Sequence, residues 1–326
     1  MIAHRLVVLA ASLGLAAAAS AAEKVDFDQG VQVPQSVQAV PAPSAAPAGV
    51  KTYTVSHAAV THAKGFKPHK GGVRDYKKVG DFHMSQAIPD KMDLRPQLTR
   101  IENQGQCGDC WAFSLTATNR DGHAILGEDP GRLSQEWLTD TDPNYATQPP
   151  AYGCNGGDFD AANDLLKGQP SWNSCPYTAG ANGTVANPCS VNLPRAANSS
   201  IKGWHMLGDP NNGPSVMDIE AQITRSGQPI SIALAAGAGD WENYSGGIYN
   251  GCTDGPLDHM INIVGWDNEG AQFDANGNLP PGKGVWILRN SWGTSWGENG
   301  YMRTRMTDAN GVRCNEVAEQ AAYFDF

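Results

Sequence analysis

The sequence predicts an α+β protein with two unlike lobes, a helical lobe followed by a lobe of strands. Three observations predict this fold class. A Gly-, Trp- and Cys-bearing globular region begins near residue 88 and runs to residue 326. Segments with helical features gather in its first half, before about residue 205, and segments with strand features gather after it. Such a separation of helices from strands is typical of α+β folds.

The first 22 residues have the pattern of a secretory signal peptide. A short basic stretch with His4 and Arg5 precedes an apolar run over residues 6–19, and small residues follow it. The run is shorter than the roughly 20 residues that a membrane span needs, so a membrane anchor is disfavoured. We expect a protein that is secreted or periplasmic, with cleavage after Ala21 or Ala22 and no membrane segment thereafter.

Residues 23–87 do not have the composition of a folded domain. Residues 23–50 are rich in Pro and Ala and predict an extended linker. Residues 51–87 carry seven Lys and Arg against two acidic residues, whereas residues 88–326 carry 14 Lys and Arg against 28 Asp and Glu. Opposite charges attract, so we expect the basic segment to dock on the acidic region. The acidic region also argues against nucleic acid as a partner.

Caps, turn residues and composition predict the elements of the globular region. Asp109 is a good N-cap because its carboxylate can accept hydrogen bonds from the free amides of a following helix, which we predict over residues 110–126. Further helices are expected after Ser134, over 159–166 and over 216–225. Strands are expected at residues 229–235, 260–264, 285–288 and 300–304.

The cysteine count points to one reactive thiol. Export implies an oxidising compartment, in which cysteines are first interpreted as disulfides. Seven cysteines leave one unpaired: Cys107, Cys110, Cys154, Cys175, Cys189, Cys252 and Cys314.

The run QGQCGDCW at residues 104–111 permits several kinds of chemistry. A redox dithiol would follow a strand in a βαβ unit, and here Trp follows the second Cys instead of preceding the first. A metal site needs a second ligand pair that the sequence lacks, and a haem site needs His at position 111. We therefore expect no metal and no cofactor. The remaining interpretation makes Cys110 a nucleophile at a helix N-terminus, where the helix dipole lowers the thiol pKa.

A thiolate nucleophile needs a base and a group that orients the base. His259 stands in the run LDHMI at residues 257–261, and Asn290 in the run WILRNSWG at residues 286–293. Taken singly, His259 could be a buried structural histidine and Asn290 a turn former. The three motifs in this order make a far more specific pattern.

Residues 88–326 closely resemble the papain family of cysteine peptidases. The shared blocks are the run at 104–111, the run GCNGG at 153–157, Asp258-His259, and the run NSWG at 290–293 with WGENGY at 296–301. The resemblance implies a papain-like two-lobed fold, with a helical lobe over about 88–205, a β-barrel-like lobe over 206–326 and the active-site cleft between them. It also implies a monomeric cysteine endopeptidase that cleaves polypeptides and is made as a zymogen, with residues 23–87 as an inhibitory propeptide.

The resemblance assigns the catalytic roles by position. Cys110 attacks the scissile carbonyl as a thiolate paired with the imidazolium of His259. Asn290 holds the other ring nitrogen of His259, and Trp292 shields that hydrogen bond from water. The Gln104 side-chain amide and the Cys110 N–H form the oxyanion hole.

The resemblance also assigns residues that bind substrate. Gly157, next to Gly156, resembles the residue whose backbone pairs with the substrate. Ala233 is placed on the wall of the pocket for the second side chain before the cut, with Met260 beside it. Counting on from the last cysteine puts Glu319 at the far end of this pocket, whereas a shifted alignment near the C-terminus would leave it on the surface. Because an acidic residue there admits basic side chains in cathepsin B-like relatives, we expect a pocket for apolar side chains and Arg.

The resemblance further implies the disulfide pattern. Cys107 pairs with Cys154, and Cys252 with Cys314. The family's usual partner after the second helix is replaced by Thr, so Cys175 and Cys189 pair by exclusion and leave Cys110 free.

Three departures from the family pattern stand out. Asp109 occupies a position where the family has a small residue, and we interpret it as a helix cap. The segment 267–284 is a longer surface insertion, and residues 23–87 lack the long helical pattern of the commonest propeptides. Two other functions remain open: a papain-fold binding protein without catalysis, and a thiol–disulfide exchange protein built on Cys107 and Cys110. A bond between Cys107 and Cys154 would exclude the second.

Overall fold

A computed structural model describes residues 53–55, 62–67, 74–82, 84–141, 153–185, 188–237 and 239–326. All of them belong to one compact unit, residues 39–326. The predicted signal peptide and the Pro/Ala-rich stretch lie outside the described residues. In the part of the chain that the structure describes, no helix is long and apolar enough to cross a membrane.

Four α-helices of the described residues lie in segments that the sequence predicted to be helical, and the short helix at Gly239–Glu242 was not predicted. The α-helices of the described residues are α1 (Cys110–Ile125), α2 (Gln135–Thr141), α3 (Ala162–Leu165), α4 (Val216–Ser226) and α5 (Gly239–Glu242). Short 3₁₀ helices cover Val79–Asp81, Arg95–Gln97, Gly153–Asn155, Phe159–Ala161, Trp172–Ser174, Ala179–Ala181 and Cys314–Glu316. In α4, Ser215 and Asp218 form a capping box and Gly227 ends the helix at a φ of 68°.

The strands join into one open sheet. They are β1 (Tyr53–Val55), β2 (Tyr76–Lys77), β3 (Lys91–Asp93), β4 (Gly203–Leu207), β5 (Ile230–Leu234), β6 (Tyr244–Tyr249), β7 (His259–Asp267), β8 (Val285–Arg289), β9 (Tyr301–Arg305) and β10 (Gln320–Asp325). Their order is β1-β6-β9-β8-β7-β5-β10-β4-β2, and β3 pairs with β7. The pairs β6–β9 and β2–β4 are parallel. The predicted insertion forms the connection between β7 and β8.

Two hydrophobic cores define the two lobes. One is built on the strands and α4, and the other on α1, α2 and the 3₁₀ turn at Phe159–Ala161. Strand β5 is buried on both faces because its residues alternate: Ile232 and Leu234 enter the first core, and Ala233 enters the second. Helix α1 is buried on nearly all sides where the lobes meet.

The first and last segments of the globular region each pack in the lobe that the other half of the sequence forms. Leu94 and strand β3 belong to the strand lobe, although they precede the helical segments. Phe324 packs in the helical core, and the ring of Phe326 meets His123 of α1 edge to face at 4.8 Å. Each lobe is therefore closed by a segment from the other half of the sequence.

Candidate active site

Cys110 lies at the junction of the two lobes. It is the first residue of α1, is fully buried and is the one free cysteine. Its Sγ accepts a hydrogen bond of 3.3 Å from the backbone N–H of Met260 on β7. The other six cysteines form the bonds Cys107–Cys154, Cys175–Cys189 and Cys252–Cys314. With Cys107 bonded to Cys154, the Cys107–Cys110 exchange pair does not exist in this structure.

His259 and Asn290 form a hydrogen-bonded pair beside Cys110. His259 begins β7, and Asn290 directly follows β8, which is the neighbouring strand. Nε2 of His259 lies 2.9 Å from Oδ1 of Asn290, which can only accept, so the proton is assigned to Nε2. Nδ1 is buried and has no hydrogen-bond partner among the described residues. Trp292 stacks on the imidazole with ring centroids 4.7 Å apart.

The Gln104 side chain is fixed at both of its polar atoms. Its Oε1 accepts from the Ser291 hydroxyl at 2.7 Å. Its Nε2 donates to the carbonyl oxygen of Cys107 at 2.8 Å and to that of Ala63 at 3.1 Å. The amide N–H is thus held facing the cleft, where a backbone carbonyl of the N-terminal segment already accepts from it.

Residues 62–67, which we call the cleft segment, cover this site. The N–H of Gly65 donates to the Cys110 Sγ at 3.3 Å. The N–H of Phe66 donates to the carbonyl of Asp258 at 2.9 Å, and Gly157 donates to the carbonyl of Gly65 at 2.8 Å. A Cβ on Gly65 would lie 1.6 Å from the Gly108 carbonyl oxygen, so only glycine fits directly over the thiol.

The Phe66 ring fills an apolar pocket between the lobes. Only 5% of Phe66 is exposed, and its ring meets Phe159 edge to face at 5.9 Å. The same core cluster contains Trp111, Ala233 and Met260. The structure thus brings Ala233 and Met260 into one apolar cluster with Phe66, and their role in binding substrate stays a prediction.

Gly156 and Gly157 are needed where the cleft segment passes. Gly156 has a φ of 105°, and a Cβ there would lie 2.6 Å from the Gly65 carbonyl oxygen. A Cβ on Gly157 would lie 2.6 Å from the Trp111 ring. Gly156 thus keeps room for a peptide backbone in the cleft, whereas Gly157 lets the chain pass close to the Trp111 ring.

The basic N-terminal segment pairs with the acidic body, as its charge predicts. Lys64 in the cleft segment forms an ion pair with Glu242. Further along the segment, Arg74 forms ion pairs with Asp158 at 2.8 Å and Asp160 at 3.1 Å, and Lys78 forms one with Asp209 at 3.0 Å. Strand β2 then adds to the sheet edge at β4. Three histidines of this segment, His57, His69 and His83, lie outside the described residues.

Burial favours the neutral forms of the reactive groups. It raises the pKa of the Cys110 thiol to about 12 and lowers the pKa of His259 to about 3. It also lowers the pKa of His62, which stacks on Trp292 at 4.2 Å, to about 4. In this structure both shifts therefore favour the thiol over the thiolate and the neutral imidazole over the imidazolium.

Asp109 does not cap α1 with its side chain, contrary to our prediction. It occupies the N-cap position, but its carboxyl group makes no cap hydrogen bond. The group instead lies 2.9 Å from the Thr139 hydroxyl and 3.0 Å from the Tyr177 hydroxyl. These buried hydroxyls draw the carboxyl group away from the helix amides. Because Asp109 is fully buried, its pKa is raised well above its usual range.

The buried Asp109 carboxyl group connects the start of α1 to the Gln104 loop through Tyr177. The Tyr177 hydroxyl lies 2.8 Å from the carbonyl oxygen of Gln104. The Tyr177 hydroxyl is thus within donating distance of both the Asp109 carboxyl group and the Gln104 carbonyl oxygen. Asp109 thus reaches the Gln104 loop through Tyr177 and not through a helix cap, and its support role stays a prediction.

The placement of Glu319 in the substrate pocket is wrong. Glu319 is exposed and precedes β10. Gln320 lies opposite Ala233 in the sheet, so these two side chains and Met260 share one face. The counting failed because the chain before β10 contains residues with left-handed φ values: Asn315, Glu316 and Ala318. Gln320 Oε1 is buried without a hydrogen-bond partner on this face.

Sequence reasoning missed four residues of the site: Phe66, Tyr177, Glu242 and Gln320. Phe66 left a visible signal, because it is an isolated aromatic residue beside glycine in a basic segment. The other three depend on contacts between residues that are distant in sequence.

Comparisons with known proteins agree with this geometry. The family model described as papain family cysteine protease matches residues 88–324. Vignain of Vigna mungo is 31% identical over 278 residues, which are 83% of this chain and 68% of vignain. The oryzain beta chain of Oryza sativa subsp. japonica is 31% identical over 242 residues, and the match covers 72% of this chain but only 46% of oryzain.

A solved precursor has a similar fold. The structure of digestive procathepsin L2 proteinase from the larval midgut of Tenebrio molitor aligns with a TM-score of 0.59 and 26% identity. The alignment covers 77% of this chain and 73% of that one.

Proposed function

The chain belongs to the papain family of cysteine proteases and is a cysteine endopeptidase, and from this premise we propose that it is an exported zymogen that works through Cys110, His259 and Asn290. The observation that carries the proposal is the free Cys110 at the N-terminus of α1, next to a His259–Asn290 pair and beneath a segment of the same chain.

The proposed reaction begins once the cleft segment leaves and water re-enters the site. The helix dipole then favours the Cys110 thiolate, and an imidazolium at His259 pairs with it through Nδ1. The thiolate attacks the scissile carbonyl carbon, and His259 gives its proton to the leaving amine as the C–N bond breaks. Water then attacks the acyl carbon, returns a proton to His259 and releases the thiolate.

The oxyanion of each tetrahedral intermediate is held by two donors. One is the Gln104 Nε2, whose orientation is fixed by Ser291, and the other is the Cys110 N–H. Removing one such donor costs about 10²–10³ in kcat in related acyl transfers. The carbonyl of Ala63 already accepts from Gln104 in the precursor.

Latency follows from the same contacts. The cleft segment excludes substrate from Cys110, and the burial of both reactive groups favours their neutral forms. We propose that residues 23–87 act as the propeptide, that the signal peptide directs export, and that the processed enzyme is a monomer that cleaves polypeptides.

The test is peptide hydrolysis by purified Cys110→Ala and His259→Ala, each processed by the same added protease as the wild type. We expect both to be inactive while their melting temperatures stay near that of the wild type. His123→Gln changes a buried histidine at the far end of α1 and serves as the matched control. Substantial hydrolysis by Cys110→Ala would refute the mechanism, and a folded wild type that cleaves nothing would favour a binding protein.

A further inference from the structure

Glu242 places a mostly buried carboxylate in the cleft. It ends α5, and only 9% of its side chain is exposed. Its ion-pair partner among the described residues is Lys64 of the cleft segment. The Lys64 Nζ also lies 4.0 Å from a carboxylate oxygen of Asp258. The Lys64 ammonium group therefore faces the carboxylates of both Glu242 and Asp258.

These carboxylates lie on the leaving-group side of Cys110. Gly65 sits over the Cys110 sulfur, and Phe66 continues to the pocket beside Gly157. Lys64 precedes Gly65, so it lies on the other side of the sulfur.

The neighbours of Glu242 place it on that same side. His62 stacks on Trp292 there, and Trp241, next to Glu242 in the chain, contacts both Trp292 and His259. In the proposed reaction His259 protonates the leaving amine. The residue that follows the cleaved bond must therefore lie near Glu242.

When Lys64 leaves with the cleft segment, Glu242 and Asp258 lose the cation that they face. Burial raises the pKa of Asp258, and the charge of Glu242 raises it further, whereas Lys64 lowers it. A carboxylate with little solvent gains from a cation that can approach it. A substrate with a basic side chain at this position supplies the ammonium or guanidinium group that departs with the cleft segment.

We propose that Glu242, with Asp258 beside it, selects substrates that carry Lys or Arg immediately after the cleaved bond. Lys64 occupies in the precursor the place that this basic side chain takes in a substrate. The inference rests on the proposed endopeptidase function and adds a substrate class to it.

The test compares peptides that differ only at the residue after the cut: Lys, norleucine and Glu. Norleucine has the aliphatic stem of Lys without its charge. At low salt we expect kcat/KM for Lys to exceed that for norleucine at least 10-fold, about 1.4 kcal/mol, and Glu to be the poorest. The Lys preference should shrink in high salt.

The variant Glu242→Gln should bring the ratio of Lys to norleucine close to one. Glu128→Gln is the matched control and should keep the wild-type ratio, because Glu128 is exposed and distant from the site. It follows the far end of α1, and this 16-residue helix is about 24 Å long at 1.5 Å per residue. Active sites are counted by epoxide labelling of Cys110, so a poorly folded variant does not distort kcat/KM.

Equal rates on Lys and norleucine peptides by the wild type would overturn the inference, as would an unchanged ratio in Glu242→Gln. Either result would leave the proposed function intact, since the peptides are still cleaved. Failure of the processed wild type to cleave any peptide would instead overturn the proposed function, and the inference with it.

Discussion

Phe66→Ala should open the covered active site of the precursor. Phe66 is 5% exposed in its pocket. Burying a Phe side chain contributes about 1.5–3 kcal/mol. This range counts only the transfer of the side chain out of water. The additional cost of a cavity in a closed core does not apply here, because water can refill the open cleft. At 1.36 kcal/mol per factor of ten, the fraction of molecules with the cleft segment undocked should rise about 10- to 150-fold.

The assay is alkylation of Cys110 in the uncleaved precursor. Cys110 is the one free cysteine and is fully buried under Gly65, so labelling requires the cleft segment to leave. A His259→Ala background prevents self-cleavage in all samples. Labelling of the Phe66→Ala precursor, followed by mass spectrometry at pH 8, should be faster by the same 10- to 150-fold.

Phe82→Ala provides the matched control for this experiment. Phe82 also belongs to the N-terminal segment, but its ring packs on Tyr323 at 6.0 Å, outside the cleft. Its loss should leave the labelling rate near that of the parent. If Phe66→Ala is labelled no faster than the parent, the pocket contact does not hold the cleft segment in place.

Three further results are expected. Burial lowers the pKa of docked His62 to about 4 from an ordinary 6.5, so docking weakens as the pH falls from 6.5 to 4. The rate of Cys110 labelling in the precursor, divided by the rate in His62→Phe, should therefore rise on acidification. A ratio that does not change with pH would contradict this. The raised pKa of Asp109 means that its stabilisation is present below about pH 4 and is lost at higher pH. The melting temperature of Asp109→Asn relative to wild type should therefore rise between pH 4 and 8; a fall would indicate an ionised Asp109. Glu319→Ala should not change the preference between Arg and Phe at the second position before the cut. Gln320→Glu should shift kcat/KM toward the Arg substrate about tenfold. Peptide kinetics with the opposite pattern would restore Glu319 to the pocket.

The elements that sequence predicted are those whose signals are local. Helix α1 follows Asp109 and strand β5 is rich in β-branched residues, so each carries its own evidence. Strands β4, β6 and β10 were missed because their sequences GWHML, YSGGIY and QAAYFD lack clear alternation or β-branched runs. Their pairing depends on neighbours that are distant in the chain.

The candidate site divides in the same way. Cys110, His259 and Asn290 stand in short runs whose chemistry is visible, and the structure brings them together. The direction of the Asp109 side chain depends on Tyr177, 68 residues away, which no local pattern reports. The register at Gln320 depends on backbone turns that counting along a strand does not anticipate.

Strand β2 also closes an edge of the sheet. Its pairing with β4 gives the amides of Met206 and Gly208 acceptors at the carbonyls of Asp75 and Lys77. An uncovered edge strand invites pairing with other chains, whereas a two-residue strand that carries lysine resists it. Processing at residue 87 with release of the segment would bare β4, while a cut before Arg74 would keep it covered. The position of the cut therefore sets how readily the processed enzyme self-associates in concentrated solution.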